Sequence, residues 1–358
     1  MPRHPNPIPY LLYSVPVIKQ QPNGNLMVLK RCLLILLVFS LSGCFGSDKA
    51  RTQFENYQTR LANVVNTEPV PLENSIYIAL PRKRDLQQPL KDVRMGLLDA
   101  YELRECGLFQ LVADRNSILG KVQDAFRQLS YEFQLLATLE RCLLQVDSDS
   151  LKAQLETVLK QKQAQLPIVY LNTLTSSDAW RQQLTPPSAN LIAPDKPFPH
   201  SEALLAINTY ASLLEQGADI VNIQEPIEKQ RYLGAVFFSM DESTRWLNTI
   251  TKQLHRDDPL VSCGPNRDPT RFNYLRNVFD KFFVSEVQPY LSNINGLYLD
   301  VQPALQKLHS QLPENSAFSA FNAAYFGGEH YRLFQQAVKD HVSYWQKLFK
   351  RCNVQVGA

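Results

Sequence analysis

Between Tyr232 and Asp257 the chain places Leu233, Met240, Leu247 and Leu254 seven residues apart, with Val236, Phe237 and Ile250 filling the turns between them. Among regular structures only an α-helix returns residues at that spacing to one face, and a stripe this long needs neighbours to cover it. The same period recurs elsewhere. Residues 123–146 align Leu135, Leu139, Cys142 and Val146, with Phe133 and Leu136 beside them. The next segment aligns Leu151, Leu155, Val158 and Leu159, and 268–295 aligns Phe272, Leu275, Phe279, Phe282 and Phe283. The last helix, after Gly327-Gly328, aligns Phe334, Val338, His341, Trp345, Leu348 and Cys352. Strand-like alternation is missing; Ile76–Leu80 reads only as a short extended piece. The expected class is therefore all-α, an irregular multi-helix bundle with essentially no sheet.

Punctuation refines the pattern. Helices are expected over 49–65, 91–105, 108–115 and 201–216, the last closed by Gly217. Ser148 or Ser150, Ser177 and Ser201 are placed to cap helices that follow them. Pro167 suits the first turn of a new helix, and Pro289 should kink the helix of 268–295, leaving 300–312 as a shorter one. Thr185–His200 carries five prolines in sixteen residues. It suits a long surface loop, or a boundary near 185–200 if the body divides into two lobes.

The chain opens differently. Lys30-Arg31 precede ten residues, Cys32 to Leu41, that are apolar but for Ser40. A bilayer span needs about 20 apolar residues, whereas a signal-peptide core runs roughly 7–15 behind a positive start. Leu41-Ser42-Gly43-Cys44 resembles the lipobox of bacterial lipoproteins: an aliphatic residue, two small ones, then cysteine. That resemblance implies diacylglyceryl attachment at Cys44 and removal of residues 1–43, with Met27 as a compact alternative start. Two or more acyl chains anchor a protein stably without a spanning helix. Phe45 is not the aspartate that retains such proteins on the inner membrane, which points to the outer membrane, facing the periplasm.

Charge and cysteine usage agree with export. The chain holds 37 basic and 34 acidic side chains, and the leader carries Arg3, Lys19, Lys30 and Arg31 but no acid. The mature body is therefore close to neutral and lacks the electrostatic footprint of a nucleic-acid binder. Beyond Cys32 and Cys44 there remain Cys106, Cys142, Cys263 and Cys352. Four cysteines allow three pairings in an oxidising compartment. Cys106–Cys142 and Cys263–Cys352 are favoured as the pairs within each half. A zinc site is disfavoured because the cysteines stand singly and no C-x-x-C occurs.

ECGLFQLVADRNSILGKV (105–122), YLGAVFFSM (232–240), KFFVSEVQPYL (281–291) and the ending FNAAYFGGEHYRLF with HVSYWQKLFKRC resemble an uncharacterised family of proteobacterial lipoproteins, a domain of unknown function. The resemblance covers most of the mature chain and implies one lipidated helical unit. It brings no activity, cofactor or site residue.

Few motifs carry chemistry. Arg115, Asn116, Ser117 and Lys121 are anion-friendly groups around Gly120, and Pro81–Asp85 adds cations nearby. A phosphate or headgroup could use them, but the plainer reading is a helix end with favourable cations. Glu242-Ser243 echoes the glutamate of peptidoglycan-cleaving enzymes. Glu242 lies two residues from Met240, about 200° round a helix, so it is expected to face water. His330 and His341 sit too far apart along one helix, roughly 16 Å, to share a metal. No cofactor or metal is expected. His341 reads as a satisfied core histidine, and the aromatic C-terminal third as core or as a partner surface. The expectation is a non-enzymatic membrane-tethered lipoprotein that binds or scaffolds an envelope protein partner. A carrier of a lipid or cell-wall ligand comes second, a peptidoglycan enzyme third.

Overall fold

The helix from Tyr232 to Asp257 lies at the centre of the body in the computed structural model, which describes residues 48–91, 93, 103–216, 220–264 and 266–354. The leader, the lipobox with Cys44, most of the helix expected over 91–105, and Gly217 lie outside the described residues.

The described helices are α1 (Lys49–Val65), α2 (Lys83–Leu86), α3 (Leu108–Asn116), α4 (Ile118–Lys121), α5 (Ala125–Gln145), α6 (Asp149–Ser176), α7 (Asp178–Leu184), α8 (Ser201–Gln216), α9 (Val221–Lys229), α10 (Tyr232–Asp257), α11 (Thr270–Val278), α12 (Gln288–Gln311), α13 (Ser319–Phe321) and α14 (Glu329–Arg351). Among the described residues there is no strand, so the class is all-α. No described helix is long and apolar enough to cross a membrane. Asp48–Ala358 forms one compact unit.

Several helix starts follow from single side chains. Asp48, Asp124, Ser148 and Ser177 each accept a backbone N–H from the first turn of α1, α5, α6 and α7. Such caps satisfy donors that the helix itself cannot, each contributing about 1 kcal/mol. Gly328, at φ 75°, opens α14 from a left-handed conformation that costs other residues more.

Two of the proline expectations are corrected. α6 runs without interruption through Pro167. The break that would leave 300–312 as a separate helix is absent too: α11 passes through a π-helical stretch, Phe279–Val287, directly into α12, which continues through residues 300–311. The widened turns end shortly before Pro289, with the Gln288 N–H bonded to the Phe283 carbonyl. A π turn immediately before a proline relieves the clash of its ring with the preceding carbonyl.

α10 packs against α14, α12, α7 and α1. Its neighbours bury it on nearly every side, polar residues included: Ser239, Asp241, Ser243, Thr249 and Gln253 are wholly buried. The proline-rich stretch 185–200 takes part in this packing. Leu191 and Ile192 are buried, the Ile192 N–H donates to Ser239 Oγ at 3.0 Å, and the Leu191 N–H donates to Asp48 Oδ2 at 3.0 Å. Gly234 permits the approach, since a Cβ there would stand 2.4 Å from the Thr185 carbonyl carbon.

A second, smaller hydrophobic cluster is formed by α3, α5 and the first half of α6: Leu103, Leu108, Leu135, Leu139, Leu151 and Leu155 surround the Cys106–Cys142 disulfide. The Cys263–Cys352 disulfide ties the loop before α11 to the end of α14. Both Cα–Cα separations are 5.2 Å, comfortable for a bridge.

Candidate functional site

The turn at Arg115–Lys121 is a helix junction. Ser117 closes α3 and opens α4: its Oγ donates to the Asp114 carbonyl at 2.7 Å and accepts the Gly120 N–H at 3.1 Å. Arg115 donates to the Gly120 carbonyl, and its guanidinium lies over the Tyr131 ring, 5.6 Å from the centroid. Gly120 is buried, and a Cβ there would meet the Asp114 oxygen at 2.3 Å. Asn116 and Lys121 face solvent. The four residues thus cluster in one turn, but Ser117 spends its hydroxyl inside it and Arg115 one N–H.

The acidic pair Asp241-Glu242 lies in the interior, which corrects the expectation that Glu242 faces water: Glu242 is 2% exposed. Arg245, one turn further along α10, donates to both carboxylate oxygens at 3.2 Å, and Arg51 of α1 approaches to 3.7 Å. An angle of 200° from Met240 would reach water only if α10 buried a single face, and α10 is surrounded. Asp241 accepts the Tyr325 hydroxyl at 2.8 Å on one oxygen and stands 2.9 Å from His330 Nδ1 on the other. Burial pushes the Asp241 carboxyl up, against the opposing pull of the His330 and Tyr325 bonds. The Tyr325 hydroxyl in turn accepts the Ile78 N–H at 2.9 Å. A carboxylate-oriented histidine is one part of a hydrolytic triad. Among the described residues no serine, threonine or cysteine is hydrogen-bonded to the second ring nitrogen of His330. What the cluster does is hold α10, α14 and the segment before α2 together.

That segment, residues 67–82, runs extended along α10. Side chains on successive turns of the helix take up its backbone: Gln253 Oε1 accepts the Val70 N–H at 2.9 Å and Thr249 Oγ1 the Glu73 N–H at 3.2 Å. Arg245 donates to the Glu73 carbonyl, and Ser75 Oγ donates to Glu242 at 3.4 Å. Much of the buried polar run of α10 thus serves as a docking rail for extended chain.

His341 is a satisfied core histidine. Tyr57 Oη lies 3.0 Å from its Nε2, Trp345 Nε1–H donates to the same nitrogen at 3.3 Å, and Thr251 Oγ1 stands 3.0 Å from Nδ1. Trp345 Nε1–H also donates to Tyr57 Oη, at 3.0 Å, which leaves the Tyr57 hydroxyl to donate to Nε2 and the proton of the neutral ring on Nδ1, facing Thr251. Full burial holds its pKa down to about 3. Among the described residues no group of histidine, cysteine, aspartate and glutamate is arranged to hold a metal.

A groove lies between α14 and the π-to-α12 junction. Phe283, Leu291, Phe334, Val338 and Val342 form its apolar floor, with Gln288, Ser292, Asn295, Gln335 and Lys339 on its rims; its volume is about 480 Å³. Phe334, Val338 and Val342 repeat every four residues, so the floor extends about 12 Å along α14. One end is fixed by a row of hydrogen bonds: Gln335 Nε2 donates to Tyr331 Oη at 2.9 Å, and Tyr331 Oη donates to Asn295 Oδ1 at 2.9 Å. Burial raises the Tyr331 pKa, keeping that hydroxyl a donor. Among the described residues Lys339 has no carboxylate partner. The sequence pattern reads Phe334 and Val338 as part of an inward stripe. The one hint of a groove is its width: adding Val342 makes the stripe broader than one neighbouring helix covers.

No curated protein and no solved structure matches the chain. A family described as "Protein of unknown function (DUF3080)" matches residues 54–356, which is nearly the whole helical body, from within α1 past the end of α14. None of these comparisons indicates an enzymatic activity. The chain belongs to the DUF3080 family.

Proposed function

We propose that this is a lipid-anchored envelope protein, moored through Cys44 to the periplasmic face of the outer membrane, that holds a protein partner in the groove between α12 and α14. The groove carries the reading. It has an apolar floor about two helical turns long, polar rims and a lysine with no carboxylate partner among the described residues. That combination suits an amphipathic helix that offers aliphatic side chains one turn apart and an acid opposite Lys339. The mooring is supported by the charged start, the short apolar core and the Leu41–Cys44 lipobox.

A photo-crosslinking amino acid at Val338, in whole cells, should yield a discrete heteromeric band that a Phe334→Asp background abolishes. Only monomer at every groove position would refute the partner reading. Palmitate labelling that is lost in Cys44→Ala tests the anchor separately. A carrier for an acyl-chain ligand is the second reading, because the groove volume falls in the range of small-molecule sites, roughly 300–1,000 Å³. Native mass spectrometry decides: a co-purifying small molecule displaced by Val338→Trp favours the carrier, and a ligand-free mass rejects it.

A further inference from the structure

The corner at α4 presents Ile118, Leu119 and Val122 at 86%, 80% and 76% exposure. Soluble domains scatter exposed aliphatics singly. Here three stand within five residues, and the turn beneath them is built to keep them out. Ser117 binds backbone on both sides, Arg115 ties down the Gly120 carbonyl, and the buried Gly120 tolerates no side chain. The result is a compact, highly exposed apolar turn, which an acyl layer can take in without a complementary folded surface. Lys121 sits between the aliphatics and makes no ion pair among the described residues. A cation at the base of an apolar point complements anionic headgroups above an acyl layer.

We propose that Ile118–Val122 is a membrane-contact tip. Ile118, Leu119 and Val122 enter the boundary of the acyl chains, and Lys121 meets anionic headgroups. The inference rests on the reading that the chain is held at a bilayer, and it adds a second contact that fixes how the body faces that bilayer.

The native tryptophans make a clear test, because Trp180, Trp246 and Trp345 are all buried. The full chain carrying Leu119→Trp is reconstituted with vesicles of phosphatidylcholine and a minority of phosphatidylglycerol, with or without bromine on the acyl chains. Leu144→Trp, a position 89% exposed on α5, is the comparison. The expected result is a blue-shifted emission from the indole at position 119, quenched roughly twofold by brominated lipid, while position 144 stays unquenched. Adding Lys121→Glu should weaken the quenching on anionic vesicles but not on neutral ones.

With the wild-type emission subtracted, water-like and unquenched emission from vesicle-bound Leu119→Trp overturns the tip. A blue shift independent of bromine that grows with protein concentration also overturns it, assigning the point to a second copy of the chain. Flotation of the wild-type chain scores the mooring on its own: a chain left at the bottom of the gradient overturns the mooring and the tip together. A chain that floats with an unquenched position 119 overturns the tip alone.

Discussion

Replacing His341 by glutamine should flatten the acid side of the stability profile. In the native protein the ring is enclosed by Tyr57, Thr251 and Trp345, and burial holds its pKa down to about 3. In the unfolded chain a histidine titrates near its ordinary value of about 6.5. Between those values the unfolded state binds a proton that the native state does not. Stability is therefore complete above the unfolded value and falls as pH drops through it. Linkage gives a loss of about 0.4 kcal/mol at pH 6.5 and about 2 kcal/mol at pH 5, relative to pH 8. Asp241 contributes with the opposite sign, because burial raises its pKa, but it is common to both proteins and cancels in their difference. Urea unfolding at these pH values, followed by the fluorescence of the buried tryptophans, gives the two profiles. His341→Gln should be less stable than the parent at pH 8, through imperfect replacement of the contacts, and the gap should narrow by about 2 kcal/mol at pH 5. Parallel profiles would refute the idea that a neutral, enclosed imidazole sets this slope.

Three further outcomes follow from the packing. Glu242→Gln removes the buried carboxylate that Arg245 and Arg51 share, leaving Arg51 to Asp48 and Arg245 to the Glu73 carbonyl, and should cost about 2 kcal/mol in urea unfolding; an unchanged midpoint would show the pair to be solvated. Replacing Cys106 and Cys142 together by alanine opens a loop of 36 residues, and removing Cys263 and Cys352 one of 89. Each should cost about 4 kcal/mol by loop-closure entropy, read as a lower urea midpoint that dithiothreitol no longer shifts when both bridges are gone. Gly234→Ala pushes a methyl against the Thr185–Pro186 backbone and should destabilise by about 2 kcal/mol, with protease cutting appearing first in 185–200.

Much of the fold is legible because each long helix buries a stripe, and stripes survive in one dimension. Leu233, Met240, Leu247 and Leu254 announce α10, and all four are buried. The cysteine pairing is legible by proximity within each half, and both bridges form as expected. The Arg115–Lys121 turn is a helix end as expected, but extended Ser117 makes it rather than a left-handed Asn116 or Gly120, and its exposed aliphatics leave no mark on the pattern because a few residues show no period. The pattern misleads where a residue's role depends on a distant partner. The angle from Met240 points Glu242 to water, but a charge that stabilises it inside comes from Arg51, on a helix far away in sequence. Pro289 suggests a separate, shorter helix over 300–312 because nothing local reveals the π turns that carry the helix past it. The α12–α14 groove needs two helices from separate parts of the chain to exist at all. The prolines of Thr185–His200 suggest a loop or a boundary, while the two residues that seat it, Leu191 and Ile192, are ordinary in composition.

Under load, residues 67–82 should leave α10 piecemeal. The amides of Val70 and Glu73, the Glu73 carbonyl and the Ser75 hydroxyl are held by side chains rather than by another backbone, and those side chains recur about once per helical turn: Gln253, Thr249, Arg245, Glu242. A β-ladder would peel as a unit from its edge. This arrangement behaves as a row of separate fasteners, any one of which a point substitution can open while the helix that carries it stays intact.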